Sequence, residues 1–334
     1  MFPGWMQEVI RQAGGRITVE EFMRRALFEP EHGYYSRHVK TVGRRGDFST
    51  TATLHGALGE VISSWAGERD LIEVGGGDGS LAAGVLGAMG WWRRSHVRFH
   101  MVEASPPLEA QQRERLRRFG RRVQWHPDMQ SALAACGGVA DLFSNELVDA
   151  FPAQALRWDA AMGRWEELGV DGDGTLLAVG ASEFTCDWRP ADGQRIERHG
   201  SYREWLEAWL PSWRRGRMLT IDYGGEFPEL YHRRPNGTLR AYFAQMRLDQ
   251  PGEFFERAGR QDLTADVDFS ALRSWGIEGG LSRSRLMGQR QFMLEQKPTL
   301  AERARKDPAL AFLLDEDGAG GAFLVLEQRR EDPS

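Results

Sequence analysis

Acidic and amide side chains stand where apolar runs of this chain end, and their spacing suggests a ligand site. Asp70-Leu-Ile-Glu73-Val is a short strand pattern that runs into Gly75-Gly-Gly-Asp-Gly79, followed by an amphipathic helical pattern from Ser80 to Met89. A strand, a tight glycine turn and a helix start make a nucleotide-binding corner, because glycines admit a ligand close to the backbone and the helix start offers free N–H groups. Glu73, two residues ahead of the first glycine, would repel a pyrophosphate. A second apolar run, Val97 to Val102, ends in Glu103, about two dozen residues past the glycines, where such folds deliver a carboxylate to a ribose diol. Two acids flanking the turn suit a nucleoside ligand with a positive end and no pyrophosphate, and S-adenosylmethionine (SAM) fits. Glu103 would also serve a nicotinamide dinucleotide. Against that reading, Gly75, Gly77 and Gly79 alternate, which departs from the dinucleotide spacing. No Tyr-x-x-x-Lys pair supports an oxidoreductase either: Tyr34 precedes His38, and Tyr223 precedes Phe227.

The second cluster, Asn145-Glu146 with Asp149, follows the strand pattern 139–145. Asn145 can hold a polar edge, and two carboxylates can grip a guanidinium through charge-assisted hydrogen bonds. Methyl transfer from a sulfonium is an in-line displacement governed by positioning, and a guanidinium nucleophile must also lose a proton to a nearby base. The plainer alternative is that Asn145 or Asp149 caps a short helix. A third polar strand end is Ile221-Asp222-Tyr223-Gly224.

Strand candidates 70–75, 97–103, 122–126, 139–145 and 217–222 alternate with helical patterns, which predicts βαβ units and a parallel sheet. Residues 17–28 have helical spacing, with Thr18 as N-cap and Glu21 completing a capping box. Further helices are expected at Leu54 to Trp65, 201–214 and 266–275, and a last strand at Ala322 to Gln328. Ala153 to Val170 reads as a hairpin carrying Trp158 and Trp165, closed by the turn Asp171-Gly-Asp-Gly174. Residues 297–320 read as loosely structured and Glu331 to Ser334 as a frayed tail. The expected division is 1–66 as an N-terminal helical cap, 67–150 as the SAM-binding half, 151–215 as an inserted substrate lobe and 216–330 as the second half of the core.

The 334 residues carry a net charge of −5, which gives no global electrostatic case for nucleic acid or an anionic membrane. The basic run Arg113 to Arg122 reads as a solvated helix face. Two cysteines, Cys136 and Cys186, lack metal-ligand spacing, so no metal is expected and a reducing compartment is. No secretory signal, membrane-inserted segment or organelle-targeting leader is read, and the expected location is cytoplasmic.

Further motifs run in one order along the chain: Phe22-Met23, Gly33-Tyr34-Tyr35, Gly46-Asp47-Phe48 with Thr50, the turn at Glu73, and Glu103-Ala-Ser105-Pro106 with Gln111. Asn145-Glu146 to Asp149-Ala-Phe-Pro152, Asp222-Tyr223-Gly224, Gly237-Thr238-Leu239-Arg240, Asp262-Leu263-Thr264, Val267-Asp268-Phe269 and Gln291 follow. In this order the chain resembles, over nearly its whole length, the MidA / DUF185 family of SAM-dependent methyltransferases, which includes a mitochondrial complex I assembly factor. The resemblance implies an α/β fold: a seven-stranded, class I, Rossmann-like methyltransferase sheet with an N-terminal helical segment and an insertion. It implies that Glu73, Gly75, Gly77 and Gly79 cradle SAM, that Glu103 holds its ribose, and that Asn145, Glu146 and Asp149 face the methyl and the acceptor. Gly46 and Asp47 would close the site, with Asp47 opposite Glu146 across the methyl. For the mitochondrial members it implies dimethylation of an arginine on a respiratory-complex subunit. The expected partner is therefore an arginine-bearing protein, with no nucleic acid; a homodimer is compatible with this reading. The chain departs from the family pattern at Gly76 and Asp78, at Gly320-Gly321, and across Ala241 to Arg247, where many members carry histidines. A non-catalytic assembly factor retaining the fold and a small-molecule methyltransferase stand as alternatives.

Overall fold

The computed structural model describes residues 2–39, 55–243, 246–248 and 253–331. The chain divides into two compact units. One comprises Met1–Val39, Val148–Glu204 and Gly225–Ser270; the other comprises Lys40–Leu147, Trp205–Gly224 and Ala271–Ser334.

The second unit is built on strands β1 (Asp70–Val74), β2 (Phe99–Val102), β3 (Val123–His126), β4 (Ala140–Asn145), β5 (Gly216–Gly225), β6 (Ser282–Gly288) and β7 (Phe323–Arg330). Their order across the sheet is β3-β2-β1-β4-β5-β7-β6. β1 to β5 pair in parallel, and β7 runs antiparallel to both β5 and β6. Within this unit the seven strands form the α/β sheet that the family resemblance implies. The central strands have no exposed face: β2 is buried at every position and β1 at all but its first. Such burial explains their continuous apolar runs. Helices Ala57–Trp65 and Ser80–Ala88 pack against each other so closely that a Cβ on Gly59 would lie 2.8 Å from the Gly84 Cα. Strand order reverses between β2 and β4 on either side of β1, and ligands of open α/β sheets bind at the carboxyl ends beside such a switch.

At the opposite, amino-terminal edge sits Asp141, whose side chain is 1% exposed. It accepts hydrogen bonds from the backbone N–H groups of Gly67 (2.9 Å) and Arg217 (3.0 Å), and it pairs with Arg69 (3.3 Å) and Arg217 (3.2 Å). A buried carboxylate with this many donors ties the entrances of β1, β4 and β5 together.

The other unit contains the expected hairpin. Gln154–Asp159 pairs antiparallel with Arg164–Asp171, Trp158 stands opposite Trp165, and the Gly174 N–H closes the following turn on the Asp171 carbonyl. Arg16–Thr18 adds to this sheet beside Arg164–Asp171, so the N-terminal segment and the insertion share one sheet. A core of Leu156, Trp158, Trp165, Ile196, Leu230 and Tyr231 lies on it. The helix Val19–Phe28 starts on Thr18, whose hydroxyl accepts from the Glu21 N–H at 3.1 Å. Only that half of the expected box is recorded, and the Glu21 carboxylate pairs with Arg25 at 2.7 Å.

One expectation is corrected. Residues 297–320 are not loosely structured but hold the short helices Leu300–Ala304, Pro308–Leu314 and Ala319–Ala322, the second capped by Asp307 on the N–H groups of Ala309 and Leu310. Each is too short for helical periodicity to register, and packing of Leu300, Leu310 and Leu314 into the sheet core stabilises them.

Replacing Asp141 by alanine leaves Arg217 without its carboxylate and two N–H groups without an acceptor. The expected loss of stability is about 3 kcal/mol, read from urea unfolding followed by tryptophan fluorescence.

Candidate cofactor and acceptor site

β1 delivers Glu73 to its carboxyl end, and the turn after it is left-handed at alternate residues: Gly75 (φ 65°), Gly77 (φ 52°) and Gly79 (φ 81°). Side-chain-bearing residues rarely adopt such angles, which is the physical reason the glycines alternate. Gly79 caps the helix Ser80–Ala88, and Asp78 accepts from the Ser80 N–H at 2.9 Å while pairing with Arg115 at 2.7 Å. The missing side chain at Gly76, a departure from the family pattern, has a local use: a Cβ there would lie 3.1 Å from the Glu73 carboxyl carbon and collide with the Met101 methyl.

Glu73 is 2% exposed, and its Oε2 has no hydrogen-bond partner among the described residues. Burial, reinforced by the charges of Glu103 and Asp78, pushes its pKa well above the carboxylate range. Glu103, at the end of β2, is also buried; burial pushes its pKa up to about 7, partly opposed by donors from the Ser105 N–H (2.9 Å) and the Gln112 amide (2.8 Å). Each of its oxygens keeps a lone pair. Two carboxyl groups in one corner raise each other's cost of ionisation, so the corner favours a ligand that brings positive charge and hydroxyl donors. SAM has both, and these residues fit it.

Gln112 was missed from sequence. Its Nε2 donates to both the Gly77 carbonyl (2.8 Å) and Glu103 (2.8 Å), and its Oε1 accepts from the Trp125 indole (3.1 Å), so it fastens the glycine turn to Glu103. The sequence did carry a signal: Leu108, Gln112 and Leu116 form the buried stripe of the helix Pro106–Leu116, and an amide in such a stripe needs partners. Gln111, singled out from the family pattern, bonds back to the Pro107 carbonyl at 3.3 Å.

At the end of β4, Asn145 and Glu146 are half-buried, and the Asn145 amide donates to the Glu146 carboxylate at 3.0 Å. Glu146 has φ 52°, a conformation costing roughly 1 kcal/mol outside glycine. The turn is held from β5: the Glu146 N–H donates to the Ile221 carbonyl (2.9 Å), and the Leu147 N–H donates to the fully buried Asp222 (3.2 Å). Two backbone hydrogen bonds at about 1 kcal/mol each offset that strain. Asp222, noted in sequence only as a polar strand end, is thus a positioning residue for Glu146.

Asp149 lies in the other unit, on the turn Val148–Ala150, and is 6% exposed. Its carbonyl accepts from the Ala265 N–H at 3.0 Å. In the same unit Tyr35 donates to Asp262 at 2.9 Å, joining two family motifs 227 residues apart. Burial, with the charges of Asp262 and Asp149, pushes the Tyr35 pKa well up, and burial pulls that of His199 down to about 4. Thus Glu73, Gly75, Gly77, Gly79, Glu103, Asn145 and Glu146 come together within one unit. Gly46 and Asp47 lie outside the described residues, as does the expected pairing of Asp47 with Glu146.

The sheet order and this corner define a class I methyltransferase. A family model described as "Putative S-adenosyl-L-methionine-dependent methyltransferase" matches residues 60–287, and the chain belongs to that family. This bears out the resemblance to MidA / DUF185, the enzyme class and the cofactor. A curated relative from Drosophila melanogaster, "Protein arginine methyltransferase NDUFAF7 homolog, mitochondrial", is 27% identical over 82% of this chain and 72% of its own length. Its counterpart from Danio rerio is 29% identical over 78% of this chain and 68% of its own. A crystal structure from Burkholderia thailandensis bound to S-adenosyl-homocysteine superposes with a TM-score of 0.83, at 27% identity, over 98% of this chain and 92% of that one. A native structure of the same superfamily from that organism gives 0.80 at 26% identity, over 98% and 91%. The expected cytoplasmic location is corrected, because both curated relatives are named mitochondrial. The cysteine count marked a reducing compartment, a property the cytoplasm shares with the mitochondrial matrix.

Glu103 titrates near neutrality and accepts hydroxyl donors best when ionised. A ligand that favours the ionised form lowers its pKa on binding, so affinity rises as pH increases through about 7. Isothermal titration with S-adenosylhomocysteine from pH 6 to 8 (a range about one unit either side of that value) is expected to show this rise, and Glu103→Gln to flatten it.

Proposed function

We propose that this methyltransferase transfers the methyl group of SAM to an arginine of a protein partner, with a respiratory-complex subunit as the acceptor class. The observation that carries the cofactor half is the buried, unpartnered Glu73 oxygen beside the left-handed glycine turn and Glu103. The names of the relatives, protein arginine methyltransferases of mitochondria, support the acceptor and the compartment. When bound, SAM supplies an electrophilic methyl.

Glu73, Gly75, Gly77 and Gly79 form its cradle and Glu103 its ribose acceptor. Asn145 holds a polar edge. Glu146 and Asp149 orient the guanidinium and take its proton, with Asp47 as a third carboxylate and Gly46 in the closing segment. A guanidinium has a very high pKa, so a base must be ionised and within reach for its nitrogen to attack. Carboxylates held by short-range hydrogen bonds, as Glu146 is by Asn145, keep that geometry. The inserted segment 151–215 forms the lobe that reads the partner protein, and self-association into a homodimer is part of the same reading.

Glu146→Gln and Asp149→Asn remove the base but keep shape and hydrogen bonding. Each is expected to lower methyl transfer at least about a hundredfold while S-adenosylhomocysteine binding stays within about threefold. The check is mass spectrometry of methylarginine in host proteins with and without this gene, repeated with each variant. Unchanged methylarginine in every protein would exclude the arginine acceptor.

A further inference from the structure

The helix Trp91–His96 carries two adjacent exposed indoles: Trp91 is 74% exposed and Trp92 62%. Their rings lie 6.0 Å apart, and Trp92 packs on His96 at 4.5 Å. The helix itself is anchored. Arg93 reaches inward to the carbonyls of Ser63 (2.6 Å) and Gly67 (2.8 Å), which leaves the tryptophans facing outward on a fixed support. Exposed apolar groups of this size rarely sit side by side without a partner.

The chain around them is rich in arginine, and the acids that face it, Glu68 and Asp70, act on Arg93 and Arg98. No Asp or Glu occurs between Gly90 and Val102, or between Arg115 and Pro127. The two stretches meet in space: Arg122 donates to the Arg94 carbonyl, and a Cβ built on Gly87 would lie 3.8 Å from Arg118 Nη2. Arg118, Arg121 and Arg122 are exposed and, with Arg94, have no acidic partner among the described residues. Nearby arginines are neutralised, Arg113 by Glu109 and Arg115 by Asp78. So the run read in sequence as a solvated helix face is divided: Arg113, Arg115 and Arg117 are paired with carboxylates, whereas Arg118, Arg121 and Arg122 form a bare cationic surface joined to the tryptophan helix through the Arg94 carbonyl.

The geometry points to a peripheral docking surface for an anionic phospholipid bilayer, with Trp91 and Trp92 seated at headgroup level and the unpaired arginines over the lipid phosphates. Indoles favour this interface because one edge is apolar and the N–H stays wet. Arginines add attraction to anionic lipid that salt weakens. No described helix is long and apolar enough to cross a membrane, and docking of this kind needs none. Single-stranded nucleic acid is the less favoured occupant, since one face of Trp92 is already covered by His96 and cannot stack on a base.

The test uses the full chain in flotation with vesicles of phosphatidylcholine alone and of phosphatidylcholine mixed with phosphatidylglycerol. Binding is expected to be at least about tenfold stronger to the mixed vesicles and to weaken with added salt. The double variant Trp91→Ser with Trp92→Ser is expected to lose at least about tenfold of it, as is Arg118→Glu with Arg122→Glu. All four side chains are exposed, and unchanged S-adenosylhomocysteine binding verifies that the variants are folded. Equal binding to both vesicle types, retention of binding by the serine variant, or displacement from vesicles by single-stranded RNA at lower concentration than by soluble lipid headgroup would each overturn the proposal. None of these readouts depends on the identity of the methyl acceptor.

Discussion

Two carboxyl groups placed where a parallel sheet has nowhere to solvate them set the terms for the rest of the structure. Glu73 leaves β1 pointing into the packed interior, and Glu103 leaves β2 beside it, both all but sealed from water. Ionising a buried acid costs several kcal/mol, and a second acid nearby raises that cost. The fold answers the two differently. Glu103 receives donors from Ser105 and Gln112, which oppose part of its upward shift, whereas Glu73 receives none at its Oε2 among the described residues and is pushed well above the carboxylate range by burial. A corner in this condition is poised for a cationic, hydroxyl-rich ligand, whose charge takes the place of protons.

The glycine turn follows from the same constraint. Glu73 needs the space that a side chain on Gly76 would fill, and the chain must reverse within a few residues to start a helix. Three left-handed glycines accomplish the reversal, and Gln112 then fixes the turn and Glu103 with a single amide nitrogen. Cofactor corner and sheet packing therefore share their stabilising contacts: the helix that presents Gln112 is the one whose Leu108 and Leu116 are buried.

Much of this was legible in the chain. Period, apolar runs and glycine spacing located six of the seven core strands, the five parallel ones because central parallel strands are buried on both sides and read as unbroken apolar segments. The hairpin of Trp158 and Trp165 was legible as well, and so was the Asp171-Gly-Asp-Gly174 turn that follows its second strand. β6, Ser282–Gly288, was not, since three of its positions are exposed and it carries arginines at 283 and 285. Nor were the short helices after Thr299, which depend on packing into the sheet rather than on their own periodicity. In the site, the acids at strand ends were visible because a polar residue ending an apolar run is conspicuous. The roles of Gln112 and Asp222 were hidden, since each acts through partners brought near only by the folded chain, 35 residues away for Gly77 and 75 for Leu147.

The constraint on Glu146 differs in kind from the constraint on Glu73. Around Glu73 the strain is electrostatic and disappears when a suitable ligand arrives. At Glu146 it is conformational, and it is sustained permanently by Ile221 and by Asp222, a residue with no exposure to solvent. A carboxylate whose backbone is pinned from a neighbouring strand has few alternative positions, and the Asn145 amide removes more of them. Positioning supplies much of the rate in an in-line transfer, because a nucleophile misplaced by about 1 Å forfeits large factors. In the role proposed for Glu146, rigid placement at the end of β4 serves better than a shifted pKa, and in the other unit burial and the Tyr35–Asp262 hydrogen bond likewise fix where polar groups stand.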